Sequence, residues 1–175
     1  MEKPPMLPKF ALSIRQTWAW AIVAGHKDVE NRSRVAMRKG HLDFAGFFAI
    51  HAAKTMTKYE YEFAFKFMER RGVQCPAPAG LTRGAIIGGA RVVGLVSRYD
   101  SPWFTGPIGL VLTEAFRIDP IPALGALGHF EWRPGGILEE PRPWMQTWPL
   151  SSRSPRQEQQ DEEPVQLSLF PERAS

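Results

Sequence analysis

The sequence predicts an α+β fold: a small β-barrel with about two main helices, followed by a disordered C-terminal tail. Three observations lead there. Short β-prone runs punctuated by Gly and Pro recur between residues 10 and 132. Two stretches, Gln16 to Ala24 and Thr57 to Arg71, carry apolar residues at helical spacing. After Leu150 the apolar residues stop abruptly. The expected organisation is a flexible N-terminus over 1–9, one domain over 10–150 and a tail over 151–175.

Each element has a local reason. Leu12-Ser13-Ile14-Arg15 alternates apolar and polar, as a half-buried strand does. In the helix that follows, Trp18, Ala19, Ile22 and Val23 form the apolar face, and Gly25 suits the left-handed position just past its end. Val29 to Ser33 reads as a second strand, on which Glu30 and Arg32, two apart, share a face. Lys27 lies in the intervening turn, where its long stem reaches either of them. Gly46 to His51 is an apolar run read as a buried strand that ends beside His51 and Lys54.

In Thr57 to Arg71, Tyr59, Phe63, Phe67 and Met68 form an aromatic stripe expected to pack into the core, and Gly72 supplies a stop. Val73 to Thr82, rich in Pro, Ala and Gly, reads as a surface loop. Gly84 to Val96 is a long β-prone stretch whose glycines match no phosphate-binding fingerprint, so bulges and tight barrel corners account for them. Ser101 to Pro107 makes a rigid loop with two exposed-looking aromatics, Trp103 and Phe104, leading into a strand over Ile108 to Phe116. Turns at Pro120, Pro122, Gly125 and Gly128 and a short segment, Phe130-Glu131-Trp132, close the domain.

The segment Gly25 to Arg32 holds the chemistry. Lys27, Glu30 and Arg32 together present donors and an acceptor to one polar ligand, whereas any of them buried alone would carry a heavy desolvation cost. The same trio also fits a structural ion-pair network on a barrel edge.

Leu12-Ser13-Ile14-Arg15-Gln16, Trp18-Ala19, the Gly25-x-Lys27-x-x-Glu30-x-Arg32 pattern with Asn31, and Ile50-His51-Ala52-Ala53-Lys54 together resemble an ASCH domain, in order over roughly residues 10 to 132. The resemblance implies a PUA-like fold whose motif lines a cleft for RNA, DNA or a nucleotide-like ligand such as a modified nucleoside. It implies a binding set of Arg15, Gln16, Lys27, Glu30, Asn31 and Arg32, joined by His51 and Lys54. Ser101 and Trp103 enter because a similar Ser-Pro-Trp segment borders the cleft in ASCH relatives. A base stacked on Trp103 and a ring plugged into the core are both open. The chain departs from the pattern at Thr17, where relatives carry Pro, and at Arg34, where an aromatic often stands.

Some ASCH proteins are amidohydrolases that act on acylated cytidine, using the motif lysine with a threonine three positions later. Here Lys27 matches but position 30 is Glu30, which has no hydroxyl, so that mechanism does not carry over as it stands. If the chain is an enzyme, Lys27 and Glu30 are its candidate catalytic groups, with Glu30 as a general base. Three functions remain: a nucleic-acid or nucleotide-binding module, a hydrolase of a modified nucleoside or RNA, and an interaction adaptor with an inactive cleft.

Composition narrows these. The single cysteine, Cys75, excludes an internal disulfide, and four scattered histidines offer no metal cluster, so neither metal nor cofactor is expected. No apolar run is long enough to span a bilayer, and the expectation is a soluble, cytoplasmic protein. The formal charge is +4; three arginines against five carboxylates give 151–175 a charge of −2 and leave +6 for the rest. Arg32, Arg34, Arg38, Lys39 and His41 cluster near the motif, which favours a polyanion. Oligomeric state leaves no signal.

The tail from Ser151 to Pro164 has no apolar residue beyond proline, so it buries too little to offset its chain entropy. It ends in Gln166-Leu167-Ser168-Leu169-Phe170, which resembles the pentapeptide by which bacterial replication and repair proteins hold the sliding clamp. The alternative is a tail that docks on its own domain.

Overall fold

The computed structural model describes residues 7–149. Six strands and four α-helices follow in the order β1 (Phe10–Ile14), α1 (Trp18–Val23), β2 (Val29–Arg32), α2 (Arg34–Gly40), β3 (Gly46–Ala52), α3 (Lys58–Glu69), β4 (Ala85–Val96), β5 (Ile108–Pro122), β6 (His129–Glu131) and α4 (Pro143–Gln146). The strands form one mixed sheet in the order β2-β5-β4-β3-β1-β6, in which only β1 and β3 run parallel. The fold is the expected small α+β barrel. α1 and α3 are the two anticipated helices. α2 and α4 are short additions that the apolar pattern did not signal.

The sheet curls because β4 and β5 are long and irregular. Their register shifts between Ile86 and Gly88, between Gly89 and Arg91 and between Val92 and Gly94, so every shift falls at a glycine. At the first two shifts a side chain would not fit. A Cβ on Gly88 would stand 2.0 Å from the Phe116 carbonyl oxygen, and one on Gly89 2.6 Å from the Phe116 ring. The curl carries β2 around until Arg32 donates to the Ser13 carbonyl of β1 at 3.1 Å, although β1 stands fifth in the sheet from β2.

Inside the barrel Leu12 and Ile14, the apolar half of the β1 alternation, meet Phe48, Ile50, Val92, Leu110 and Leu112. Ala19, Ile22 and Val23 of α1 cap this core. α1 ends as anticipated: His26 N–H donates to Ala21 O and Gly25 N–H to Ile22 O, both at 2.9 Å, with Gly25 at φ +80°. That tight stop turns the chain straight into Lys27 and β2.

α3 starts with a reciprocal cap. Thr57 Oγ1 accepts from Glu60 N–H while the Glu60 carboxylate accepts from Thr57 N–H. Its buried face is Tyr61, Ala64 and Met68, of which Tyr61 and Met68 pack with Trp103 and Met145 in a second core. The expected aromatic stripe is therefore corrected: Tyr59 and Phe63 are 77% and 56% exposed. Those two residues lie on the helix flank, not on the face that the second core covers.

Two further expectations change. β5 continues through Pro122 instead of stopping at Phe116, pairing Ile121 with Ile86 and Pro122 with Ala85. Its other neighbour, β2, pairs only with Ile108 to Val111, so the far half of β5 is an edge where proline costs no ladder bond. Trp103, which looked exposed, is buried at 5%.

Candidate functional site

Glu30 is the centre of the motif. Its Oε2 accepts from Lys27 Nζ at 2.8 Å, and its Oε1 lies 3.1 Å from Arg32 Nη2. Lys27 Nζ also donates to the Val29 carbonyl, and Arg32 Nη2 to the Ser13 carbonyl. The spacing explains the meeting. Glu30 and Arg32 are two apart on β2 and share a face, while Lys27 folds back from the turn below. Burial pushes the Glu30 carboxyl upward, but the charges and hydrogen bonds of Lys27 and Arg32 outweigh it and hold it below its ordinary value of 4.5. Glu30 is thus kept ionised between two cations, and the trio carries one net positive charge.

The trio opens onto a cleft between β1, β2 and α3. One part, about 320 Å³, is lined by Ser13, Arg15, Gln16, Glu30, Arg32, Tyr59 and Glu60. A second part, about 280 Å³, reaches down to Lys27, Phe67, Trp103 and Thr105. Trp18, Glu30, Asn31 and Phe63 line both parts. At the mouth Arg15 pairs with Glu60. One wall is charged and the other aromatic: Trp18 meets Phe67 edge-on at 5.3 Å, and Phe67 lies 5.7 Å from Trp103. The Arg71 guanidinium covers the outer face of Phe67 at 3.3 Å.

The residues singled out in the sequence fall into three groups. Lys27, Glu30, Arg32 and Arg15 line the cleft. Gln16, Asn31 and Trp103 line it and Ser101 stands behind Trp103, with polar groups engaged in holding the walls. Gln16 Nε2 donates to Thr82 O at 2.6 Å, and its Oε1 accepts from Trp20 N–H at 3.0 Å. Asn31 Nδ2 donates to Trp103 O at 2.8 Å, while Oδ1 accepts from the N–H groups of Thr105 and Gly106 at 2.9 and 3.2 Å. Ser101 Oγ donates to Asp28 at 2.6 Å and accepts from Trp103 N–H at 3.1 Å. Together Asn31 and Ser101 fix the loop that sets the Trp103 ring.

His51 and Lys54 stand apart from the cleft. The His51 ring is buried between Ser13 Oγ at 3.1 Å from Nδ1 and Ala123 O at 2.9 Å from Nε2. Burial lowers its pKa from the ordinary 6.5, against the opposing pull of the Ala123 carbonyl. Lys54 is exposed and pairs with Glu139 at 3.0 Å. His51 is the penultimate residue of β3 and Lys54 stands two residues past its end, and neither lines the cleft.

The aromatic lining residues that sequence reasoning missed are Trp18, Tyr59, Phe63 and Phe67, all read as packing; Ser13, Glu60 and Thr105 were missed as well. A signal was present: Tyr59, Phe63 and Phe67 recur every four residues, on a stripe distinct from Tyr61, Ala64 and Met68. Cys75 is buried, and its thiol is pushed up to about 12 by burial, as befits an inert core thiol. Among the described residues, no helix is long and apolar enough to cross a membrane, and no group of three His, Cys, Asp or Glu could hold a metal ion.

No protein-family profile matches the chain, and no curated protein matches it. Among solved structures it is similar to a mutant form of the ZmASCH protein from Zymomonas mobilis, with 18% sequence identity over 78% of this chain and 90% of that one and a TM-score of 0.39.

Proposed function

We propose that this chain is an ASCH-type module that binds a nucleotide or nucleic acid in the cleft between β1, β2 and α3. One observation carries the reading: a net-positive trio of buried Lys27 and Glu30 with half-buried Arg32, facing an aromatic wall of Trp18, Phe63 and Phe67. The cations suit a phosphate or a base carbonyl, and the rings suit a base face. Glu30 supports this role because, held ionised, it accepts from the amino group of a base. Arg15, Gln16, Asn31, Ser101 and Trp103 then act as mouth and wall of the site.

The test is equilibrium binding of the full chain to nucleoside 5′-monophosphates, acylated cytidines, and RNA and DNA oligonucleotides, beside Lys27→Met. Affinity for a phosphate-bearing ligand that falls with salt and is lost in Lys27→Met supports the reading. Hydrolysis of an acylated cytidine would instead make the site an enzyme. Binding by neither protein would leave the trio a structural ion-pair network and the chain an adaptor.

The link to replication or repair rests on Gln166-Leu167-Ser168-Leu169-Phe170, which lies outside the described residues. Leu167, Leu169 and Phe170 supply apolar anchors, and short segments gain affinity from a few such anchors. The fourteen residues from Ser151 to Pro164 would tether the domain near clamp-bound DNA. A peptide spanning 164–173 is expected to bind a bacterial sliding clamp with a Kd of about 1 μM, or about −8 kcal/mol. Replacing Leu169 and Phe170 with Ala in the full chain should abolish clamp binding and leave nucleic-acid binding unchanged.

A further inference from the structure

A second concavity shares no lining residue with the cleft. It is a groove of about 670 Å³ between α2 and the ends of β4 and β5, with Arg34 and Arg38 above a floor that includes Met37, Leu95 and Ile108. Arg34 and Arg38 are four apart and so one turn above each other on α2. Among the described residues, neither has a carboxylate within ion-pair distance. The floor is open: Leu95 is 43% exposed.

The groove adjoins the cleft across one strand pair. Ile108 is the register partner of Arg32 across β2 and β5, and directly opposed residues share a face. One member of that pair lines the groove and the other lines the cleft. A chain-like ligand leaving the trio at Arg32 therefore meets Arg34 and Arg38 next.

We propose that this groove is a second subsite, which takes the nucleotides adjoining the one in the cleft, so that the ligand is a single-stranded nucleic acid rather than a free nucleoside or mononucleotide. The inference rests on the reading of the cleft as a nucleotide site. The two guanidiniums hold successive phosphates by paired N–H donors, and unpaired base faces lie on the apolar floor. A duplex keeps those faces stacked inside, which makes the floor useless to it.

The test compares the full chain with Arg34→Ala/Arg38→Ala and with Arg34→Lys/Arg38→Lys. The probes are the four nucleoside 5′-monophosphates and mixed-sequence single-stranded RNA and DNA of about 12 nucleotides. The double Ala variant should keep mononucleotide affinity, lose about tenfold in oligonucleotide affinity, and flatten the log K against log salt slope by roughly 1.4, about 0.7 for each phosphate contact removed. The Lys variant should keep most of the slope. Whether RNA, DNA or both respond identifies the sugar.

Oligonucleotides binding no better than mononucleotides would overturn the subsite while leaving the cleft reading intact. Oligonucleotide binding that ignores both substitutions would do the same. If the double Ala variant leaves oligonucleotide binding alone but speeds proteolysis of residues 151–175, the occupant is the acidic tail and the proposal fails. A wild-type chain that binds neither probe overturns the cleft reading itself.

Discussion

Arg32 Nη2 lies 3.1 Å from the Ser13 carbonyl oxygen and 3.1 Å from Glu30 Oε1. One nitrogen thereby spans the open side of the barrel, from β2 to β1, and completes the charged trio at the cleft floor. Closure of the fold and assembly of the candidate site are the same contact. A substitution there must act on both.

Arg32→Ala should accordingly lower stability by about 3 kcal/mol, the scale of breaking a partly buried ion pair, and lose ligand binding together with it. Lys27→Met leaves Glu30 paired with Arg32 and the closure intact, so it should lose binding at a smaller cost. Urea unfolding beside titration calorimetry separates the two. Equal stability losses in both variants would mean that Arg32 has no special part in closure.

Glu30 should add a pH-dependent increment to stability. Its carboxyl lies below its ordinary value of 4.5 in the folded chain, so its contribution is fully present above about 4.5 and is lost as pH falls through the lower native value. Glu30→Gln should flatten the acid limb of a stability profile taken from about pH 5 to 3. At neutral pH the same variant should be less stable than wild type, because Lys27 and Arg32 lose their shared counter-ion.

Asn31→Ala should loosen the loop from Ser101 to Gly106. It removes one donor to Trp103 O and the acceptor for two backbone N–H groups, at a cost of about 1–3 kcal/mol. Tryptophan fluorescence should change as Trp103 loses its fixed place against Phe67. Asn31→Asp, which keeps the acceptor, should recover part of the loss.

The barrel's curl can be tested at two glycines of β4. Gly88→Ala forces a methyl to 2.0 Å from the Phe116 carbonyl oxygen and 2.8 Å from Val23 Cγ1, so a loss of about 3 kcal/mol or more is expected. Gly94→Ala meets nothing within 4 Å and should stay within about 0.5 kcal/mol of wild type. Thermal melts of the two variants settle whether close approach, rather than chain flexibility, fixes glycine at position 88.

Local patterns in the chain determined most of the elements. Alternation in Leu12 to Arg15, the apolar spacing before Gly25, the Thr57–Glu60 cap and the Gly72 stop are short-range effects, and each lies within a few residues of what it controls. The Lys27–Glu30–Arg32 meeting was legible for the same reason, since six residues of chain bring the three groups together.

Only the tertiary structure decided the rest. That Tyr59 and Phe63 line a cleft depends on which flank of α3 the second core covers, and α3 has two aromatic stripes to choose from. That Trp103 is buried depends on Asn31, more than seventy residues away. His51 and Lys54 stand at a strand end as the sequence suggested, but their partners, Ala123 and Glu139, come from distant segments and hold them outside the cleft. α2 escaped notice because Arg34 to Gly40 has too weak an apolar face to signal a helix, and its place beside β4 and β5 alone makes it the wall of a groove. Contacts between distant segments are set by how the sheet curls, and that curl comes from three glycine-bearing register shifts whose joint effect no local window contains.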